Sequence, residues 1–149
     1  REMKKEGTLK EIKKDLIKKV SSLNLNILLA EDNPVNQKVI LLMLKKMNLS
    51  ARVANNGKDV LKMLKRSDSD YDLILMDVRM PELDGIKTTK IIRDPESGIK
   101  QKKIPIIALT ALAMQEDAKR CLKAGMDKYL TKPIHPEEII EAIAGIFKV

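Results

Sequence analysis

Aromatic residues are scarce in this chain of 149 residues, which holds two tyrosines, one phenylalanine and no tryptophan. Proteins that bind single-stranded nucleic acid stack bases on aromatic rings, and no such series is present. The net charge of +8 still raises the question of a nucleic-acid partner. Half of that charge comes from residues 1–24, with eight basic and four acidic side chains. We interpret the remaining charge as a solvated surface and expect no direct binding of nucleic acid.

Cysteine and long apolar runs are also lacking. The single cysteine, Cys121, has no partner for an internal disulfide, which is typical of a reducing compartment. No apolar run approaches the roughly 20 residues that a membrane-spanning helix needs, and the features of a secretory signal are missing. We therefore expect a cytoplasmic protein that does not associate with membranes.

Glycine-rich phosphate-binding loops are missing as well. A dinucleotide-binding domain would carry Gly-x-Gly-x-x-Gly after its first strand, where this chain has Glu31-Asp32-Asn33-Pro34. The same absence argues against a kinase that uses ATP.

From Asn26 onward, short apolar runs alternate with segments that have helical apolar spacing, which is typical of an α/β fold with a parallel sheet. The five predicted strands are Asn26–Ala30, Ala51–Ala54, Leu73–Met76, Ile104–Leu109 and Lys128–Leu130. Three apolar series mark the expected inner faces of covering helices. They are Val35, Val39, Leu42, Met43 and Met47, then Val60, Leu61 and Leu64, and finally Ile139, Ile140, Ile143 and Phe147.

Residues 1–24 are interpreted as a segment that precedes the domain of residues 25–149. An apolar stripe on a Lys- and Glu-rich stretch predicts a helix there. The stripe consists of Leu9, Ile12, Leu16, Ile17 and Val20. Ser21–Asn24 is the predicted linker. The helix would dock on the domain or pair with a second copy of the chain, and both interpretations stay open.

Polar residues end the predicted strands. Glu31 and Asp32 follow the first strand, Asp77 the third and Thr110 the fourth, and Lys132 comes shortly after the fifth. Ligands of parallel α/β sheets bind beyond the carboxyl ends of the strands, so we expect these side chains to converge. Each one alone could be a helix cap or a solvated loop residue. The complete set indicates a site.

Three carboxylates that converge repel one another and raise each other's pKa unless a cation lies among them. A small number of hard oxygen ligands favours Mg²⁺, which completes its shell with water and phosphate oxygens. The interpretation is a phosphoryl-transfer site. Asp77 is the candidate covalent nucleophile, and Thr110 and Lys132 would contact the transferred oxygens.

With these motifs the chain resembles the receiver domains of two-component signalling over about Leu25–Val149. The motifs are Leu29-Ala30-Glu31-Asp32-Asn33, Met76-Asp77-Val78-Arg79-Met80-Pro81 with Asp84-Gly85, Ala108-Leu109-Thr110-Ala111, and Lys132-Pro133. The resemblance implies a flavodoxin-like (βα)5 doubly wound parallel sheet with strand order 2-1-3-4-5, here with an N-terminal helical extension. Asn36-Gln37 after the first motif, and the long Arg93–Lys103 loop, look most like receivers of hybrid histidine kinases.

The resemblance also implies the ligands of the magnesium ion. Asp32 would bind the ion directly, and Glu31 would act largely through water. Asp77, the phosphoacceptor, would be a further ligand. The backbone carbonyl of Arg79 would complete the protein ligands.

Further implied roles concern the phosphoryl group and the response to it. Thr110 and Lys132 would hold the phosphoryl group, and the Lys132–Pro133 peptide bond would be cis. Tyr129 would be the aromatic side chain whose rotamer follows phosphorylation. The response would appear on the face made by the helix around Leu112–Ala124, the Lys128–Leu130 strand and the final helix.

The expected function is that of a phosphoacceptor rather than an ordinary enzyme, with a histidine kinase or a histidine phosphotransfer protein as donor. Such a domain could catalyse its own phosphorylation and dephosphorylation. Homodimers through the N-terminal segment or the last two helices are a further expectation. The sole histidine, His135, is interpreted as a helix-entry residue.

Two alternatives stay open. One is a phosphatase or phosphotransferase with an Asp nucleophile, although that superfamily has a second acid two residues later, where Arg79 stands. The other is a receiver-like domain that is never phosphorylated and only binds partners.

Overall fold

Five parallel strands form one sheet in this computed structural model, which describes residues 13–66, 70–111 and 115–149. The strands are β1 (Ile27–Ala30), β2 (Ala51–Ala54), β3 (Leu73–Asp77), β4 (Ile106–Thr110) and β5 (Lys128–Thr131). Their spatial order, β2-β1-β3-β4-β5, confirms the expected topology. β1, β3 and β4 are buried along their whole length, as continuous apolar runs in parallel sheets usually are.

The bounds of two strands differ from the prediction in a way that matters for the site. β4 begins at Ile106 instead of Ile104, because the intervening Pro105 has no N–H to donate to the ladder. β3 and β4 each continue one residue further, so that Asp77 and Thr110 are their last residues. Both polar side chains are therefore held by the sheet rather than by a loop.

Six helices are present in the described residues. They are α1 (residues 13–21), α2 (Pro34–Lys46), α3 (Gly57–Lys65), α4 (Gly85–Arg93), α5 (Gln115–Ala124) and α6 (Pro136–Phe147). The core divides into two clusters, one shared by the sheet with α3, α4 and α5 and one shared with α1, α2 and α6. The sheet is therefore covered on both faces. None of these helices has the length and apolar character needed to cross a membrane.

Side-chain caps explain where several helices begin. Asn33 caps α2, and its Oδ1 accepts from the backbone N of Val35 and Asn36. Asn56 and Asp84 accept from backbone N–H groups in the first turns of α3 and α4. Short polar side chains of this kind satisfy donors that have no partner within the helix.

The predicted inner face of α2 is wrong in its first half. Val35, Val39 and Leu42 are 67%, 44% and 60% exposed, whereas Ile40 and Leu44 are buried. The side of α2 that packs on the core is formed by Ile40, Leu41, Met43, Leu44 and the C-capping Met47. The run from Val39 to Leu44 is continuously apolar, so its spacing suits more than one side of the helix. The predicted inner faces of α3 and α6 are confirmed.

α1 docks on the domain. Val20 is completely buried, and Leu16 and Ile17 pack against the cluster that contains α2 and α6. The helix also runs one residue into the predicted linker, because residue 21 is helical. Leu9, Ile12 and Leu112 lie outside the described residues, and the domain boundary at residue 24 stays a prediction.

Candidate functional site

The carboxylates of Glu31, Asp32 and Asp77 meet at the carboxyl end of the sheet. Each contributes an oxygen atom, and these atoms all lie within 4.8 Å of one another. Parallel pairing aligns the ends of β1, β3 and β4, and this brings residues that are 46 positions apart in the sequence together. The convergence predicted for these three acids is therefore present.

The Lys132 ammonium contacts two of these acids. Its Nζ lies 3.3 Å from Oδ2 of Asp77 and 3.8 Å from Oε2 of Glu31. The backbone N of Lys132 donates to the carbonyl oxygen of Thr110 at 2.7 Å, which ties the loop after β5 to the end of β4. The Lys132–Pro133 peptide bond is cis. Thr110, which is 3% exposed, is the last residue of β4. β4 pairs with β3, the strand that ends in Asp77.

Glu31 is the most buried acid of the site, with no exposed surface. Its Oε1 accepts a hydrogen bond of 2.7 Å from Asn36 Nδ2, whereas Oε2 accepts none from the described residues. Burial and the neighbouring Asp77 carboxylate raise the pKa of Glu31 to about 7, against the opposing effects of Asn36 and Lys132. An unsatisfied carboxylate oxygen in a cluster of acids is a suitable ligand for a hard cation.

The segment after Asp77 folds back closely on its strand. Val78 donates from its N to Leu109 O at 3.1 Å, and Gly85 N donates to Val78 O at 2.8 Å. A Cβ atom at Gly85 would lie only 2.3 Å from the backbone oxygen of Asp77. The close approach therefore requires glycine at this position. Arg79, whose N donates to Asp77 Oδ1 at 3.4 Å, has an exposed side chain.

Two polar residues that contact Glu31 had no predicted role. Asn36 binds the Glu31 carboxylate, and Gln37 Nε2 donates to the Glu31 backbone oxygen at 2.6 Å and to Asn55 Oδ1 at 3.0 Å. Both occupy the first turn of α2, directly after the polar end of β1. Their position in the sequence was the available indication that they belong to the site, because the first turn of a helix after a parallel strand faces the binding edge of the sheet.

The two remaining predicted residues lie outside this cluster. Tyr129 in β5 is 44% exposed and lines a groove of about 460 Å³ together with Leu122 and Glu138. His135 precedes α6, is exposed and makes no side-chain capping hydrogen bond. His135 thus has the helix-entry position that was predicted for it.

Comparison with known sequences shows which family the chain resembles. Residues 27–144 match the family model described as the response regulator receiver domain. The chain is 43% identical over 121 residues to hybrid signal transduction histidine kinase K of Dictyostelium discoideum, a match that covers 78% of this chain and 10% of that protein. It is 37% identical over 155 residues to histidine kinase 1 of Arabidopsis thaliana, covering 83% of this chain and 13% of that protein. The chain thus spans only a small part of these curated relatives.

Solved structures of similar chains agree with this family match. The receiver domain of sensor histidine kinase PA1611 from Pseudomonas aeruginosa PAO1, determined with a magnesium ion in its active site cleft, is 42% identical with a TM-score of 0.72. The match covers 84% of this chain and 98% of that one. The Saccharomyces cerevisiae receiver domain of Ssk1, solved with the histidine phosphotransfer protein Ypd1, is 34% identical with a TM-score of 0.71, over 80% of this chain and 86% of the other. The chain belongs to the response regulator receiver domain family of two-component signalling.

Proposed function

We propose that Asp77 is the phosphoacceptor and that it receives its phosphoryl group from a phosphohistidine on a histidine kinase or a histidine phosphotransfer protein. The observation that carries this proposal is the position of Asp77. It is a 95% buried carboxylate at the end of the central strand, within 4.8 Å of two further acids and 3.3 Å from the Lys132 ammonium. The Asp77 carboxylate thus lies among two other acids and one ammonium group.

In the proposed step, a carboxylate oxygen of Asp77 attacks the phosphorus atom of the phosphohistidine. The new O–P bond makes an acyl phosphate, and the P–N bond breaks with its electron pair left on the imidazole nitrogen. The Lys132 ammonium balances negative charge on the transferred oxygens, and the Thr110 hydroxyl donates a hydrogen bond to one of them. Positioning and electrostatic stabilisation supply most of the catalysis in reactions of this type.

The acidic cluster fits a magnesium ion. Its ligands would be Asp32, Asp77 and the backbone carbonyl of Arg79, with Glu31 largely acting through water. Three carboxylates within 4.8 Å and the unsatisfied Oε2 of Glu31 support this assignment. When bound, Mg²⁺ supplies positive charge that offsets the repulsion between carboxylates and phosphate oxygens.

The partner would dock beside this pocket, on an exposed apolar surface of α2. We call this surface the α2 patch and define it by Val35, Val39 and Leu42. Val39 also lines a groove of about 240 Å³ that reaches Lys132 and Pro133. Exposed apolar side chains beside a site mark protein interfaces, and the Ssk1 receiver binds a histidine phosphotransfer protein. We therefore commit to a histidine phosphotransfer protein as the occupant.

The same family context supports four broader proposals. The chain is the receiver segment of a hybrid histidine kinase, since hybrid kinases are among its curated relatives. It acts in the cytoplasm, which suits a single, buried Cys121 thiol. Self-association would use the N-terminal segment, which includes α1, or the last two helices, α5 and α6. The fourth proposal is that the domain catalyses its own phosphorylation and dephosphorylation.

The phosphoacceptor assignment is tested by incubating the protein with acetyl phosphate and magnesium and measuring intact mass. The wild type should gain one phosphoryl group, and Asp77→Asn should gain none. Asp72→Asn is the matched control, because Asp72 contacts Asn26 at the opposite end of the sheet and its loss should leave labelling unchanged. Undiminished labelling of Asp77→Asn would refute the assignment. Continuous release of phosphate from a phosphomonoester would instead favour the phosphatase alternative.

A further inference from the structure

We infer that Asn36 is a positioning residue for the metal site, whose amide holds one oxygen of Glu31 so that the other oxygen stays directed at the cation. This inference rests on the proposed magnesium site and adds a residue to it. Asn36 itself lies in the first turn of α2 and is partly buried. Its role is indirect, because it contacts the Glu31 carboxylate and acts through it.

The two oxygens of Glu31 have different surroundings. Oε1 accepts from Asn36 Nδ2 at 2.7 Å. Oε2 is buried, accepts no hydrogen bond from the described residues, and lies 3.8 Å from Lys132 Nζ. The same Nζ is 3.3 Å from Asp77 Oδ2, so Oε2 and Asp77 share the Lys132 ammonium as a neighbour. The Asn36 hydrogen bond therefore determines which oxygen is left for the acidic cluster.

A neutral amide suits this task better than a charged group. The carboxylate accepts hydrogen bonds only, and the Asn36 amide provides a donor without a full positive charge. A second ammonium beside Glu31 would compete with Mg²⁺ for the same oxygens, as the Lys132 ammonium already does at 3.8 Å. Asn36 therefore orients Glu31 without adding a competing cation.

The position of Asn36 is itself well determined. Asn33 Oδ1 accepts from the backbone N of Val35 at 2.8 Å and of Asn36 at 3.3 Å, which fixes the start of α2. Gln37 ties the same turn to the Glu31 backbone oxygen and to Asn55 after β2. Hydrogen bonds of Asn33 and Gln37 thus fix the first turn of α2, and this turn places the Asn36 side chain against Glu31. Groups that orient metal ligands in this way commonly change metal affinity by about 10- to 100-fold when removed.

The test is the Mg²⁺ dissociation constant of the unphosphorylated chain, measured by isothermal titration calorimetry. We expect Asn36→Ala to weaken Mg²⁺ binding by about 10-fold. Gln101→Ala is the matched control, because the Gln101 amide makes hydrogen bonds with the Tyr71 backbone away from the site. That variant should lose stability and keep the wild-type affinity for Mg²⁺. Urea unfolding of both variants without metal would show that each is folded.

A double-mutant cycle separates positioning from a general structural effect. If Asn36 acts through Glu31, Asn36→Ala should have no further effect on Mg²⁺ affinity in the Glu31→Ala background. An equal loss in both backgrounds, or an unchanged affinity in Asn36→Ala alone, would overturn the inference. A wild-type chain that binds no Mg²⁺ would instead overturn the proposed metal site, so the two failures are distinguishable.

Discussion

Glu31 shows at the scale of one residue how the site depends on the folded state. Its carboxyl group is fully buried, and burial raises its pKa from 4.5 to about 7, with the Asp77 carboxylate acting in the same direction. Between these two pH values, the folded chain keeps a proton that the unfolded chain has released. The fold therefore loses stability as pH rises through this window, and the loss is complete above it.

The first prediction follows from this linkage. Without divalent metal, the free energy of unfolding should fall by roughly 1–3 kcal/mol as pH rises from about 4.5 to about 7, through titration of the interacting Glu31 and Asp77 carboxyl groups. Urea unfolding in EDTA at several pH values measures the change. Glu31→Gln, which carries no titrating proton, should show a flatter profile, and saturating Mg²⁺ should flatten the wild-type profile at the high-pH end. An identical slope in Glu31→Gln would contradict the prediction.

At the scale of elements, the start of α4 lies close against the end of β3. Gly85, the first residue of α4, leaves no room for a Cβ atom, which would lie 2.3 Å from Asp77 O and 3.0 Å from Met76 Cγ. Backbone atoms of Asp77 cannot rotate away as the end of a side chain can. Any added methyl group must therefore move α4 or the end of β3, and the phosphoacceptor with it.

The second prediction compares two glycines. Gly85→Ala should lower the free energy of unfolding by about 1–3 kcal/mol through overpacking. It should also slow phosphorylation of Asp77. Gly145→Ala in α6 is the control, because the added Cβ would contact only the end of the flexible Lys128 side chain. That variant should gain about 0.5–1 kcal/mol from its higher helix propensity. Thermal unfolding and acetyl phosphate labelling measure both effects, and equal stability of the two variants would contradict this account.

At the scale of the whole molecule, two exposed apolar surfaces have different expected partners. The α2 patch adjoins the acidic pocket through Val39 and Lys132. The other surface includes Leu122 and Tyr129 on α5 and β5, at the far edge of the sheet from β2. The first is suited to a phosphodonor that must reach Asp77. The second surface is suited to a partner that detects phosphorylation of Asp77.

The third prediction tests the α2 patch. Val39→Glu should abolish phosphoryl transfer from a phosphorylated histidine phosphotransfer protein, because a buried charge at the interface would be unpaired. Labelling by acetyl phosphate should be unchanged, since that small donor needs no docking surface. Leu122→Glu places the same charge at a similarly exposed position, 47% against 44%, and should transfer at the wild-type rate. Wild-type transfer in Val39→Glu would contradict the proposed docking surface.

The fourth prediction concerns the response to phosphorylation. A phosphoryl mimic at Asp77 should draw the Thr110 hydroxyl towards it and allow Tyr129, exposed in this structure, to change rotamer. NMR chemical shifts should then change at Tyr129, in α5 and in α6 as well as at the pocket. Asp77→Asn with the same mimic should show no change. Shifts confined to the Asp77 pocket would contradict the proposed switch.

Local patterns were sufficient for much of this molecule. Buried parallel strands read as continuous apolar runs, so β1, β3 and β4 were predictable, as were the acids and the hydroxyl that end them. The rule that ligands bind at the carboxyl ends of such strands then predicted the meeting of Glu31, Asp32 and Asp77. The strand order came from the family resemblance, because spacing along one chain does not rank its strands in space.

Only the tertiary structure decided which apolar side of α2 faces the core. The run from Val39 to Leu44 is apolar on every side of the helix, so the sequence permits more than one orientation. Packing in the cluster that α1, α2 and α6 share with the sheet buries Ile40 and leaves the α2 patch exposed. The hydrogen bonds of Arg93 are a second example, since its guanidinium donates to Gly125 O, 32 residues away, and to Lys102 O. Periodicity and motif spacing depend on near neighbours along the chain and therefore identified the strands and the acids. Helix orientation and long-range hydrogen bonds depend on surfaces that exist only once the elements have packed together.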